Sequence, residues 1–130
     1  MFVLQGITKV KEQKWFIDSG CSRHMSGKRS LFHELKKQST GTITLGDKGK
    51  CDIVGIGSVG STPDHAIKNV YLVDGLKYNL LSVSQLCDNG NDVGFNKKRC
   101  IVRREDTSEI VLIAYRYNDT YAVNAEQVAQ

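Results

Sequence analysis

A chain of 130 residues, 40% hydrophobic and 25% charged, is sized for one domain of about 100–200 residues and can bury about two-thirds of its unfolded surface. That composition excludes the low-hydrophobicity signature of disorder, and no run approaches the roughly 18 apolar residues needed to span a bilayer. The net charge of +4 falls in short clusters at Lys9/Lys11/Lys14, Lys28/Arg29, Lys36/Lys37, Lys97/Lys98/Arg99 and Arg103/Arg104. They are interleaved with acids, so a solvated surface is expected and direct nucleic-acid binding is not.

Glycine is plentiful, Pro63 is the only proline, and β-branched residues fall in short runs punctuated by Gly, Asp, Asn and Ser, the pattern of an all-β domain. Strands are expected, in chain order, at Phe2–Val10, Lys14–Asp18, Gly41–Leu45, Cys51–Val59, Ala66–Val73, Asn91–Phe95, Cys100–Arg104, Ile110–Tyr115 and Tyr121–Asn124. A short helical turn capped by Ser30 is expected over Ser30–Leu35. Gly46-Asp47-Lys48-Gly49 and Glu105-Asp106-Thr107-Ser108 carry hairpin-turn chemistry. One α-helix is expected over Leu80–Asp88, with Leu80, Val83 and Cys87 on one face and Asn89-Gly90 as its stop. No linker or internal repeat interrupts the chain, which is read as one domain over residues 1–130.

The N-terminus M-F-V-L-Q-G-I-T-K has neither a charged leader nor an apolar signal core, so an intracellular chain is expected. The four cysteines, Cys21, Cys51, Cys87 and Cys100, are accordingly read as reduced thiols or metal ligands, not as two disulfides.

The chemistry concentrates in W-F-I-D-S-G-C-S-R-H-M, Trp15 to Met25. An apolar strand delivers the carboxylate of Asp18 into Ser19-Gly20, where glycine permits close backbone approach and the hydroxyl can bond nearby backbone. Three residues alone describe a capped turn equally well. Cys21-x-x-His24 has the spacing of half a zinc site, with Cys51, His65, Cys87 or Cys100 to complete it, although no second close pair follows. His33 and His65 stand alone and are read as surface residues. Trp15, Phe16 and the thiols of Cys87 and Cys100 are read as core. Asp74-Gly75, at the end of Y-L-V-D-G-L, is the nearest alternative acid, but it lacks the intervening hydroxyl residue.

The Asp-Ser-Gly segment with its Cys-Ser-Arg-His-Met sequel resembles the protease of copia-type retrotransposon Gag-Pol polyproteins, particularly plant elements. T-I-T-L-G-D-K-G-K-C-D-I-V-G-I-G-S-V is similar to the flap hairpin of those proteases. I-K-N-V-Y-L-V-D-G-L-K-Y-N-L-L-S-V-S-Q-L-C-D-N-G is similar to their C-terminal strand, turn and helix. The resemblance spans about residues 14 to 123, and N-L-L-S-V-S-Q-L is its most specific part.

What the resemblance implies is an all-β, retropepsin-like barrel or sandwich with a flap hairpin and one short C-terminal helix, acting as an aspartic endopeptidase on its own polyprotein. Such enzymes activate water between two carboxylates that share a proton, because like charges about 3 Å apart cannot both ionise. With one Asp-Ser-Gly and no repeat, the dyad is expected on the two-fold axis of a homodimer, with Asp18 as the catalytic residue of each chain. By the same resemblance Ser19 and Gly20 shape the active-site loop and Cys21 and Ser22 line the cleft. Ile43–Leu45 and Cys51–Ile53, joined through Gly46, Asp47, Lys48 and Gly49, form a flap over the substrate. No cofactor, metal or membrane is expected, and the place of action is cytoplasmic, in virus-like particles. The core is expected over about residues 14–96, with 97–130 as a C-terminal extension hairpin. The alternative is a catalytically inactive or domesticated β module, with structural zinc at Cys21/His24 or a partner-binding role.

Overall fold

Alternation in K-W-F-I-D sets the first strand, β1 (Lys14–Asp18): Trp15 and Ile17 are buried, while Phe16 and Asp18 take the other face. The computed structural model describes residues 14–44, 49–60 and 66–124. The expected strand Phe2–Val10, the turn residues Gly46, Asp47 and Lys48, and His65 lie outside the described residues.

After β1 come β2 (His24–Ser26), β3 (Phe32–Thr44), β4 (Lys50–Val59), β5 (Ile67–Val73), β6 (Asn79–Ser82), the helix α1 (Val83–Asp88), β7 (Asn91–Phe95), β8 (Arg99–Arg104), β9 (Ile110–Tyr117) and β10 (Thr120–Asn124). The domain is all-β with one short α-helix among the described residues. The strands form one sheet in the order β3-β4-β5-β2-β6-β1-β10-β9-β8-β7. Among the described residues no helix is long and apolar enough to cross a membrane.

Two parallel pairings determine the architecture. β1 runs parallel to β6, with Phe16 opposite Leu80 and Asp18 opposite Ser82. β2 runs parallel to β5 and antiparallel to β6. Such pairings cannot be made by a tight hairpin, and here the long excursion between β1 and β6 holds β2 to β5. On its other side β1 pairs antiparallel with β10, Phe16 opposite Ala122. The C-terminal strands β7–β10 are a simple meander that ends against β1.

Two apolar clusters fill the fold. One joins Trp15, Ile17, Val70, Leu81 and Leu86 to Cys100, Val102, Leu112, Ala114 and Val123, crossing residue 96 without a break. The other gathers Met25, Ile53, Val73 and Leu76, with Cys21, Ile43, Cys51, Tyr71 and Leu80 packed against it.

Several sequence expectations are corrected. The helix does not begin at Leu80. Residues Asn79–Ser82 are strand, because their backbone completes the ladder with β1 and Leu81 is fully buried. The helix starts only after Ser82, whose hydroxyl accepts the Gln85 N–H as an N-cap. Its buried side chains are Gln85 and Leu86, and Cys87 is exposed. Gly90, at φ +86, follows as the left-handed residue that stops it.

The helical turn expected over Ser30–Leu35 is a single 3-10 turn, Arg29–Leu31, with no side-chain cap. Phe32 already pairs with Val59 and Leu35 with Gly57, so pairing with β4 outweighs local turn preference, and β3 begins nine residues before Gly41. Strand β2 was not foreseen, since H-M-S has no alternation to announce it. Phe16 is not core. It stands on the open face of β1, ringed by Tyr78 at 6.0 Å and Tyr117 at 6.1 Å.

Candidate active site

Asp18 is the last residue of β1, so its carboxylate emerges where the ladder ends. The Gly20 N–H donates to Asp18 Oδ1 at 2.7 Å, a charge-assisted bond that orients the carboxylate. A Cβ on Gly20 would sit 3.2 Å from that oxygen, so the carboxylate would have to give by a few tenths of an ångström. Ser19, Gly20 and Ser22 are exposed, while Cys21 is half-buried with its thiol 3.8 Å from the Asp18 carbonyl. Burial, and then the Asp18 charge, push the Cys21 thiol up to about 11.

Beside this loop lies a groove of about 450 Å³, lined by Phe16, Asp18, Ser19, Tyr78, Leu80 and Thr120. Asp18 therefore presents a carboxylate in a trough of mixed lining, walled by the Phe16 and Tyr78 rings, Leu80 and Thr120. The stems of the β3–β4 hairpin reach the same neighbourhood, since Ile43 and Cys51 pack on the cluster that also holds Cys21. Gly49, at the end of that turn, is exposed with φ +74. Asp74 occupies the turn after β5, with its N–H donating to the Asp52 carbonyl, and does not line the groove.

The loop after Asp18 is held by Ser82 and Gln85, to which the sequence reading assigned no role, and by His24, whose Cys-x-x-His spacing had also suited zinc. Ser82-Val83-Ser84-Gln85 has the form of a capping box, in which Gln85 would return to the Ser82 N–H. Here His24 is inserted into that box. The Ser82 N–H donates to His24 Nδ1 at 2.9 Å, and the His24 N–H donates to Gln85 Oε1 at 2.8 Å. Ser82 Oγ donates to the Cys21 carbonyl at 2.7 Å, so the loop is bound at both ends of Cys21-x-x-His24.

Gln85 Nε2 reaches on to the Asn69 carbonyl at 3.0 Å, where the backbone turns left-handed at φ 60. Asn79 ties β1 to β2, donating to the Lys14 carbonyl at 3.0 Å and accepting from Ser26 Oγ at 2.5 Å. The S-x-x-Q spacing was the available signal, hidden while L-L-S was read as helix.

This network also bears on zinc. His24 is 1% exposed, and its Nδ1 is occupied as an acceptor. Burial, with Arg23 adding to it, pushes the imidazole down to about 4, so it is neutral at physiological pH. Among the described residues no three His, Cys, Asp or Glu side chains converge as a metal site. The four cysteines are free thiols.

Fold and site together define an all-β domain in which an Asp-Ser-Gly turn is clamped between a parallel strand and the helix that follows it. The chain belongs to the family described as Pol polyprotein, beta-barrel domain, which matches residues 15–91. The match runs from β1 to the first residue of β7, so β8, β9 and β10 lie beyond it. The chain is also 33% identical over 79 residues to the putative transposon Ty5-1 protein of Saccharomyces cerevisiae, covering 59% of this chain and 52% of that protein. It thus spans about half the length of the curated relative. No solved structure matches.

Proposed function

We propose that this domain is the aspartic endopeptidase of a copia-type retrotransposon, cutting its own Gag-Pol polyprotein as a homodimer. The observation that carries the proposal is Asp18 itself: one carboxylate per chain, oriented by the Gly20 N–H at the mouth of a groove. Membership in the Pol polyprotein family and the similarity to a transposon protein support that setting.

In the proposed mechanism two Asp18 carboxylates meet across a two-fold axis and share one proton. The ionised one draws a proton from a water held between them, and the protonated one donates to the scissile carbonyl oxygen as the water adds to its carbon. The proton taken from water then passes to the amide nitrogen, the C–N bond breaks to release the amine, and a hydroxyl of the gem-diol returns a proton to the other Asp18, restoring the shared proton. Ser19 and Gly20 shape the loop, Cys21 and Ser22 line the cleft, and the β3–β4 hairpin, with Gly46, Asp47, Lys48 and Gly49 at its turn, closes over an extended peptide. The proposed place of action is the cytoplasm, within virus-like particles.

Cleavage of the flanking polyprotein by wild type and by Asp18→Asn tests the reading. Asp18→Asn is expected to stay folded and lose cleavage, and cleavage that survives the change sinks the assignment. Dilution tests the dimer: activity per chain is expected to fall as half-sites separate, and specific activity that stays constant with concentration refutes a reversible two-chain site.

A further inference from the structure

We propose that the end of the C-terminal meander around the β7–β8 turn binds single-stranded nucleic acid, a surface separate from the Asp18 groove. Along the chain the run from Lys97 to Arg104 carries five cations and no acid, and the first acids after it are Glu105 and Asp106. Strand β8 starts beside Lys97, Lys98 and Arg99 and ends with Arg103 and Arg104 at the turn that carries Glu105, Asp106 and Glu109, so the cations without neighbouring acids are those at its start. Six strand residues span about 20 Å, more than two screening lengths of about 8 Å at physiological salt. The pairing of β8 with β9 then brings Arg116 to the cationic end. Across these two turns and their flanks stand four cations, Lys97, Lys98, Arg99 and Arg116, all exposed, and one acid, Asp119, in the β9–β10 turn.

The turn is preorganised. Asn96 Oδ1 accepts from the Lys98 and Arg99 N–H groups at 2.9 and 2.8 Å. The Arg116 N–H donates to the Lys98 carbonyl at 2.9 Å, and its Nη1 donates to the Lys97 carbonyl at 3.3 Å. Tyr121 closes the turn by donating its hydroxyl to the Asn96 carbonyl at 2.7 Å. With these backbone groups satisfied inward, the ammonium groups of Lys97 and Lys98, which have no partner among the described residues, are open to an external anion.

Aromatic rings are set among these cations. Phe95 is 49% exposed and lies 5.1 Å from the Tyr121 ring, over which Arg116 sits at 5.6 Å. Tyr115, 48% exposed, is the cross-strand partner of Arg99. Phe95 pairs with Cys100 and so shares the face of the buried core, whereas Arg99 and Tyr115 occupy the opposite face. Cations and open rings therefore rim both sides of one sheet end. Phosphates satisfy the cations and bases stack on the rings. A flexible single strand can follow such a rim, while a stiff duplex cannot.

The test is fluorescence anisotropy of the full chain with labelled oligo(U) and oligo(dT) of about twelve nucleotides at about 50 mM salt, with heparin as a base-free polyanion. Binding is expected to weaken with salt at a log–log slope of about −2 to −3, the value for three or four phosphates. Lys97→Gln with Lys98→Gln is expected to lower affinity about tenfold and flatten the slope by about 1.4. Tyr115→Ala and Phe95→Ala are each expected to cost about tenfold with the slope unchanged. Lys36→Gln with Lys37→Gln, an equal loss of charge on β3, is the control and should bind as wild type, and all variants should keep the wild-type thermal melt. The proposal is overturned by no binding of either oligonucleotide, by a control that loses as much as the turn variant, or by heparin binding equally well while the aromatic variants stay unchanged.

Discussion

Replacing Gln85 by Leu tests the inserted capping box directly. The side chain is 7% exposed, accepts from the His24 N–H and donates to the Asn69 carbonyl. Leucine keeps the packing volume but strands both backbone groups. Each unsatisfied buried polar group costs about 1–3 kcal/mol, so the expected loss is about 2–6 kcal/mol, a large share of the roughly 5–15 kcal/mol that holds a domain folded. Urea unfolding at constant slope measures it. Amide hydrogen exchange localises it, because the His24 N–H should lose protection while the amides of β8 and β9 keep theirs relative to global stability. A loss below about 1 kcal/mol together with a still-protected His24 amide would refute the clamp, since another acceptor would then be holding that N–H.

Three further outcomes are expected. His24 titrates near 4 when folded against 6.5 when unfolded, so the unfolded chain takes up the proton first. Stability is full above pH about 6.5 and falls by about 3 kcal/mol as pH drops to about 4; the stability-versus-pH curve of His24→Asn should lack that component, and identical curves would contradict it. Native iodoacetamide labelling near neutral pH should modify exposed Cys87 first. Cys21 and Cys100, whose thiols burial pushes up to about 11, should lag, and mass spectrometry finding Cys21 labelled as fast as Cys87 would count against the half-buried loop. Val123→Asp places a carboxylate beside Trp15 in the core that β10 shares with β1. A loss of about 3 kcal/mol or more is expected, and a nearly unchanged denaturation midpoint would mean that β10 does not pack there.

Much of the fold was legible where residues speak for themselves. Alternating burial and explicit turns placed β1 and β7 at their true bounds, and β4, β5, β8, β9 and β10 within one or two residues at either end. Asp18 was legible as a carboxylate at a strand end for the same reason. Local rules failed where long-range pairing overrode them. Phe32–Leu35 joined β4 instead of a helical turn. Leu80, read as part of a helix face with Val83 and Cys87, and its neighbour Leu81 serve as ladder partners of Phe16 and Ile17.

By itself the sequence determined an all-β chain, the strand that ends in Asp18, and the glycine-punctuated turns, because side-chain alternation and backbone preference act over a few residues. Only the tertiary structure decided that β6 and β10 flank that strand, that the His24 N–H finds Gln85 Oε1 from 61 residues apart, and that Arg116 joins Lys97 and Lys98 at one end of β8. Those outcomes depend on contacts between segments distant along the chain. Buried polar groups must find whichever partner the assembled sheet brings within reach, and no local pattern specifies it.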